Sequence, residues 1–251
     1  EELPQELFVV QKQPNAMKIT HIFANHNRIK NLPDEFTSSE VIALNLSQNP
    51  INELTLKLPS TIENLYLHKC NLNKLPNPSC ENDDIVELVA PYNEIECIPS
   101  FNSLVVLNLS HNRLKKLPKL PNTVQFVDLS GNLIESIDEL SNTDDDDDDS
   151  NLSLLESLDV SFNCIKKWPC TLRLPGLKTL KLRGNEELSG EFNELSKNSM
   201  PSLNFLDASK TSLDFTDEAI EGIRQVLVSE DAKIVHVVKV EDNDACSVEE
   251  E

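Results

Sequence analysis

The sequence predicts an α/β solenoid, a curved stack of short units whose strands form one parallel sheet on the concave side. A helix and a strand are expected to close its C-terminal end. Three observations predict this. The stretch Leu104 to Pro118, LVVLNLSHNRLKKLP, places Leu104, Leu107, Leu109, Asn112 and Leu114 in the spacing L-x-x-L-x-L-x-x-N-x-L. That spacing recurs about nine times along the chain. With only 5 glycines and 5% aromatic residues, the core must be built from Leu, Ile and Val.

The spacing has a physical reason. Leu107 and Leu109 are two apart, so they leave a short strand on the same face. Asn112 sits where the chain turns out of the strand, and its side chain can satisfy backbone groups left over between stacked units. The position of Asn112 serves as a ruler. Equivalent positions are Asn27, Asn49, Cys70, Asn93, Asn112, Asn132, Asn163, Asn185 and, in a degenerate ninth unit, Thr211. The intervals are 22, 21, 23, 19, 20, 31, 22 and 26 residues. The interval of 31 contains an insertion, Asn142 to Asn151, with six consecutive Asp. Many units end in Leu-Pro or its equivalent, as at Leu32-Pro33, Leu75-Pro76, Ile98-Pro99, Leu117-Pro118 and Trp168-Pro169. Proline cannot donate a ladder hydrogen bond, so it marks the return path.

These units resemble intracellular leucine-rich repeat proteins of the LNLSxNxLxxLP kind, over about residues 17–213. The resemblance implies a horseshoe in which each unit buries its leucines against its neighbours. Residues 1–16, with Leu3-Pro4 and Leu7, read as the tail of an earlier unit or an N-terminal edge, so the chain is expected to be part of a longer protein. Residues 214–240 are expected to form the cap. There Thr216 and Asp217 start a helix whose face is Ala219, Ile220, Ile223, Val226 and Leu227, and a strand follows over Ile234 to Val240. The acidic insertion at 142–151 and the acidic tail at 241–251 are expected to be disordered.

The net charge is -21. Six of those charges lie at Asp144 to Asp149 and three at Glu249 to Glu251, which leaves -12 elsewhere. This balance argues against sequence-independent binding to nucleic acid or anionic lipid and favours partners with a basic surface. No run of 18 apolar residues exists, so no membrane-inserted segment is expected. No secretory leader is read at the start. The six cysteines are scattered through the units rather than clustered in end caps, and read as reduced thiols of a cytosolic or nuclear protein.

The search for chemistry finds no phosphate loop, nucleophile elbow or zinc helix, and no cofactor is expected. His68 and Cys70 are two apart, but one should face the concave side and the other the turn. His26 and His111, just before ruler positions, read as solvated. Residues six, four and two before each ruler position should face outward from the sheet. They give an apolar and aromatic track of Phe23, Tyr66, Val89, Val106 and Phe126, with His21 and His68 beside it. They also give a charged end that includes Asp128, Asp159, Lys181 and Arg183. Exposed aromatics on a sheet are enriched at interaction hot spots. The expected function is a non-catalytic scaffold that holds a partner protein on this face.

An alternative is the recognition or regulatory array of a larger signalling enzyme. The segment MPSLNFLDASKTSLDFTDEAIEGIRQVL is similar to the last units of the PH-domain leucine-rich-repeat phosphatases, which implies a metal-dependent serine/threonine phosphatase domain elsewhere. The same units resemble Ras-interacting repeat proteins and the arrays of fungal adenylate cyclases, which implies small-GTPase binding. LPKLPNTVQFVDLSGN also resembles bacterial effector arrays, whose unit lengths are more constant than these.

Overall fold

Each expected unit contributes one three-residue strand, centred on the leucine, isoleucine or valine five residues before the ruler position. The computed structural model describes residues 2–4, 6–9, 18–51, 58–75, 84–141, 152–169, 172–228 and 234–237. The acidic insertion, the acidic tail and most of the N-terminal edge therefore lie outside the described residues. In chain order the strands of the first eight units are β1 His21–Phe23, β2 Ala43–Asn45, β3 Asn64–Tyr66, β4 Glu87–Val89, β5 Val106–Asn108, β6 Phe126–Asp128, β7 Ser157–Asp159 and β8 Thr179–Lys181. They pair in parallel with their sequence neighbours, in register residue for residue. The central side chain of every strand is buried, from Ile22 through Leu107 to Leu180.

The asparagines hold the units together. In unit five, Asn112 Nδ2 donates to the carbonyls of Ala90 in the preceding unit and Leu109 in its own, both at 3.0 Å. Its Oδ1 accepts from the Ile95 N–H at 3.0 Å. Asn49, Asn93, Asn132, Asn163 and Asn185 repeat this arrangement. An irregular turn repeated at each step would otherwise bury unpaired amides and carbonyls. Cys70 fills the role only in part. Its Sγ donates to the Leu46 carbonyl at 3.2 Å. It offers no carbonyl-like acceptor, so the Ile51 N–H turns to the Asn49 carbonyl at 2.8 Å.

Units eight and nine are more elaborate than the pattern implies. On their return paths β9 Ser189–Phe192 and β11 Ser212–Phe215 pair in parallel as a separate two-stranded sheet. Between them lie α2 Glu194–Ser199, capped by the Asn193 side chain, and β10 Phe205–Asp207, which continues the main sheet beside β8. Short 3₁₀ turns at Asp34–Ser38 and Asp138–Ser141 serve earlier return paths. At the other end Glu2 bridges Asn31, and α1 Glu6–Val9 brings Phe8 edge-on to Phe36 with centroids 5.6 Å apart.

The C-terminal cap differs from the expected long helical face. The helix α3 Asp217–Ile220 lasts four residues. Gly222 follows at a φ of 86°, in the left-handed region that ends helices. Val226 and Leu227 lie instead in β12 Gln225–Leu227, which pairs in parallel with β10 and extends the main sheet. β13 Ile234–Val237 then pairs antiparallel to β12, giving an eleven-stranded sheet. Helical spacing and strand alternation coincide over so short an apolar run, and the backbone pairing offered by β10 decides between them.

Candidate binding surface

The in-register sheet sorts the outward side chains into rows that cross the strands. One row holds the first residue of each strand and includes His21, Glu87, Val106 and Phe126. The next holds the third residue and runs Phe23, Asn45, Tyr66, Val89, Asn108, Asp128, Asp159, Lys181 and Asp207. His68 and Arg183 belong to a third row, two residues before the ruler position.

The expected aromatic track is therefore not one line. Tyr66 and Val89 are direct neighbours across β3 and β4, and Val106 and Phe126 across β5 and β6, but the two pairs lie in different rows. Asn45 separates Phe23 from Tyr66. Phe23, next to His21 with rings 6.3 Å apart, is 68% exposed, and Phe126 is 43% exposed. Tyr66 and both valines are half-buried. The Tyr66 hydroxyl donates to Glu87 Oε2 at 2.6 Å. Burial first, then that hydrogen bond and the Glu87 charge, push its pKa up to about 12.

The charged end is contiguous. Asp128, Asp159 and Lys181 occupy successive places in the second row, and Lys181 Nζ lies 3.2 Å from Asp159 Oδ2. Both aspartates also serve their own backbone. Asp128 Oδ1 accepts from the Ser130 N–H and hydroxyl, and Asp159 Oδ1 from the Ser161 N–H. Asn108 and Asp207 do the same for Ser110 and Ser209. This corrects the expectation of a uniformly open third row. Pro91, Ser110, Ser161 and Ser209 are buried, as are Ala43 and Asp207 in the other rows. Small side chains there are folded under their neighbours.

The residue immediately before each ruler position, read from the sequence only at His26 and His111 and there as solvated, has a further role. These residues form a rim along the edge where the chain leaves the sheet. Each holds a left-handed backbone, with φ between 52° and 73° from His26 through Lys69, Tyr92, His111 and Phe162 to Gly184 and Lys210. Their N–H groups donate to third-row carbonyls of the next unit, as Tyr92 does to Ser110 and His111 to Ser130. Tyr92 is 48% exposed, stacks on His111 at 4.2 Å and meets the His68 edge at 5.3 Å. Lys69 Nζ lies 5.1 Å from the Tyr92 centroid. His111 is therefore stacked rather than simply solvated. Burial, then the charges of Lys69 and His26, lower the pKa of His68. Phe162, 55% exposed, carries the Arg183 guanidinium 6.0 Å from its centroid. The two rim glycines leave room for rings. A Cβ on Gly131 would meet the His111 ring at 2.7 Å, and one on Gly184 the Phe162 ring at 2.5 Å. The glycines at this position were the signal that could have revealed a left-handed rim.

His68 and Cys70 diverge, since Cys70 is fully buried while His68 is half-exposed on the sheet side. Among the described residues no group of His, Cys, Asp or Glu has the geometry to hold a metal ion. No helix among them is long and apolar enough to cross a membrane.

The repeat pattern and the fold have counterparts among known proteins. The family model described as Leucine Rich Repeat matches residues 103–124. The chain folds as a leucine-rich repeat solenoid. Podocan-like protein 1 of Mus musculus is 30% identical over 130 residues, covering 47% of this chain and 23% of its own. Fibromodulin of Bos taurus is 27% identical over 173 residues, covering 63% and 46%. The chain thus spans about a quarter to a half of the length of these relatives. Among solved structures, YopM, a leucine-rich effector protein from Yersinia pestis, matches with a TM-score of 0.62 at 24% identity, covering 83% of this chain and 54% of its own. The repeat domain of FLRT2, solved in an octameric complex with Latrophilin 3 and Unc5D, matches with a TM-score of 0.55 at 18% identity, covering 84% and 74%. Both share the fold.

Proposed function

We propose that this leucine-rich repeat chain is a non-catalytic binding module that holds a partner protein against its concave sheet. The observation that carries the reading is the adjacent pair Val106 and Phe126, with Phe126 exposed on an open sheet whose other outward residues are largely polar. An aromatic ring left wet at the centre of a curved surface is the kind of anchor that binding would bury. Phe23 supplies a second anchor near the N-terminal end, and the Asp159–Lys181 pair, with Asp128 and Arg183 beside it, would set orientation. The solved FLRT2 repeat domain, which shares this fold and is seen within a protein complex, supports a protein as the occupant.

The overall charge of -21 supports a partner whose main surface is basic and speaks against nucleic acid. The scattering of the six cysteines through the units, without a cluster at either end, supports a reducing compartment, cytosol or nucleus. The test is retention of partner protein from cytosolic extract by the parent chain and by a Phe23→Ala, Tyr66→Ala, Phe126→Ala variant with an unchanged urea midpoint. A protein held by the parent and lost by the variant supports the reading. Equal retention by both removes the concave sheet as the site.

A further inference from the structure

We infer that the rim beside the concave sheet is a docking track for an acidic, extended segment of the partner. The inference rests on the protein-binding reading and adds where the partner's charge reverses sign. In this chain 43 of 251 residues are Asp or Glu. Yet neither the rim positions nor the adjoining third row contains a single acid, in any of the nine units. They carry instead Lys69, Lys210 and Arg183, with His26, His68 and His111.

The cations are also unspent. The salt bridges among the described residues are Lys18–Glu40, Arg113–Glu94, Lys178–Glu156 and Lys181–Asp159, so Lys69, Arg183 and Lys210 have no carboxylate partner there. Arg183 Nε is shut off from solvent without a hydrogen-bond acceptor. In a strongly acidic molecule, three cations without a carboxylate partner among the described residues form local positive sites. The carboxylates of Asp128, Asp159 and Asp207 in the next row turn to Ser130, Ser161 and Ser209 rather than to these three cations.

The aromatic rings on the rim point the same way. Tyr92 and Phe162 hold φ values of 56° and 55°, a backbone region unfavourable for bulky side chains, where Gly131 and Gly184 sit in equivalent units without strain. Both rings remain about half exposed and each already carries a cation, Lys69 on Tyr92 and Arg183 on Phe162. A ring that holds a cation in place presents it to an incoming carboxylate with less side-chain freedom to lose. Rim positions follow the strand spacing of about 4.8 Å. Lys69 and Lys210 are six units apart, so the track is roughly 29 Å long, the reach of about nine extended residues. Those dimensions and that sign fit an acidic peptide stretch laid across the units.

The test uses fluorescence anisotropy with the whole chain and labelled peptides of about twelve residues. One peptide alternates Asp and Glu with Tyr, a second replaces the acids by Asn and Gln, and a third replaces them by Lys. The inference requires the acidic peptide to bind at least about tenfold more tightly than the neutral one, with affinity falling as NaCl is raised. It further requires a Lys69→Glu, Lys210→Glu variant to lose that preference and a Tyr92→Ala, Phe162→Ala variant to weaken it. The Phe23→Ala, Tyr66→Ala, Phe126→Ala variant should keep it. Equal binding of acidic and neutral peptides, or binding of neither, overturns the inference. Preference for the Lys peptide, abolished only by the sheet variant, overturns it while leaving the concave-sheet reading intact. Tighter binding of a dodecathymidylate probe would assign the rim to nucleic acid. A concentration-dependent dimer abolished by the charge-reversal variant would assign it to a second copy. Either result overturns the inference.

Discussion

The phenol ring of Tyr92 lies flat on the imidazole of His111, with centroids 4.2 Å apart and planes 17° from parallel. The two residues belong to successive units and occupy the same position in each, one residue before the ladder asparagine. The same step is solved differently further along, where the Phe162 ring lies over the bare Cα of Gly184. Ring on ring and ring on glycine are two ways in which consecutive rim positions fit within one strand spacing, and Lys69 over the Tyr92 ring is a third.

That contact makes the cost of filling Gly184 predictable. Gly184→Ala adds a methyl that meets the Phe162 ring and places it at a φ of 73°. A loss of about 1–3 kcal/mol in urea unfolding is expected. Adding Phe162→Ala should recover the steric part and leave about 1 kcal/mol of backbone strain. A double-mutant cycle with no coupling would show that the ring and the glycine do not meet.

The ladder makes two opposite predictions. Asn112→Ala leaves the Ile95 N–H and the carbonyls of Ala90 and Leu109 without that partner inside the turn. The expected loss is about 2–4 kcal/mol. Cys70→Asn should act the other way, because a carboxamide oxygen gives the Ile51 N–H the ladder acceptor in place of its local contact to the Asn49 carbonyl. A gain of about 1 kcal/mol is expected in the same measurement. A large loss on Cys70→Asn would mean that the thiol's place is too tight for an amide.

Thiol labelling separates the cysteines. Cys70 is buried, and that burial pushes its thiol pKa up, while Cys97 and Cys164 are exposed. Mass-mapped alkylation of the native chain at pH 8 should modify Cys97 and Cys164 first and reach Cys70 only as the chain unfolds. Early labelling of Cys70 would show that the ladder opens locally between units two and three.

Tyr66 gives the chain an alkaline signature. Its pKa is raised to about 12 from an ordinary value of 10.0. The folded state therefore favours the protonated phenol. The stability this confers is fully present below pH 10 and is lost as pH rises through about 12. A Glu87→Gln variant removes the charged acceptor, so its phenol should titrate closer to the ordinary value when followed by ultraviolet absorbance. An unchanged titration would place the whole shift on burial.

The sequence made the nine unit strands readable because one chemical demand repeats. Leu107 and Leu109 must face inward, and Asn112 must close the turn, so every unit carries the same marks. The rows on the outer face follow from register, which spacing alone supplies. The break of the aromatic track follows from a two-residue offset that is easy to miss, since Val106 sits six residues before its ruler position and Val89 four. The rim was not readable in the same way. Its side chains vary freely from unit to unit, and only the backbone angle is shared. The fate of Val226 and Leu227 depended on β10 lying ready to pair, a tertiary fact that local spacing does not contain.

Side-chain oxidation footprinting, with and without a captured partner, tests the central reading most directly. Binding on the concave sheet predicts strong protection of Phe23 and Phe126, with Leu195 on the return-path helix α2 oxidised as before. Protection of Leu195 with Phe23 and Phe126 unchanged would place the partner elsewhere and contradict the account.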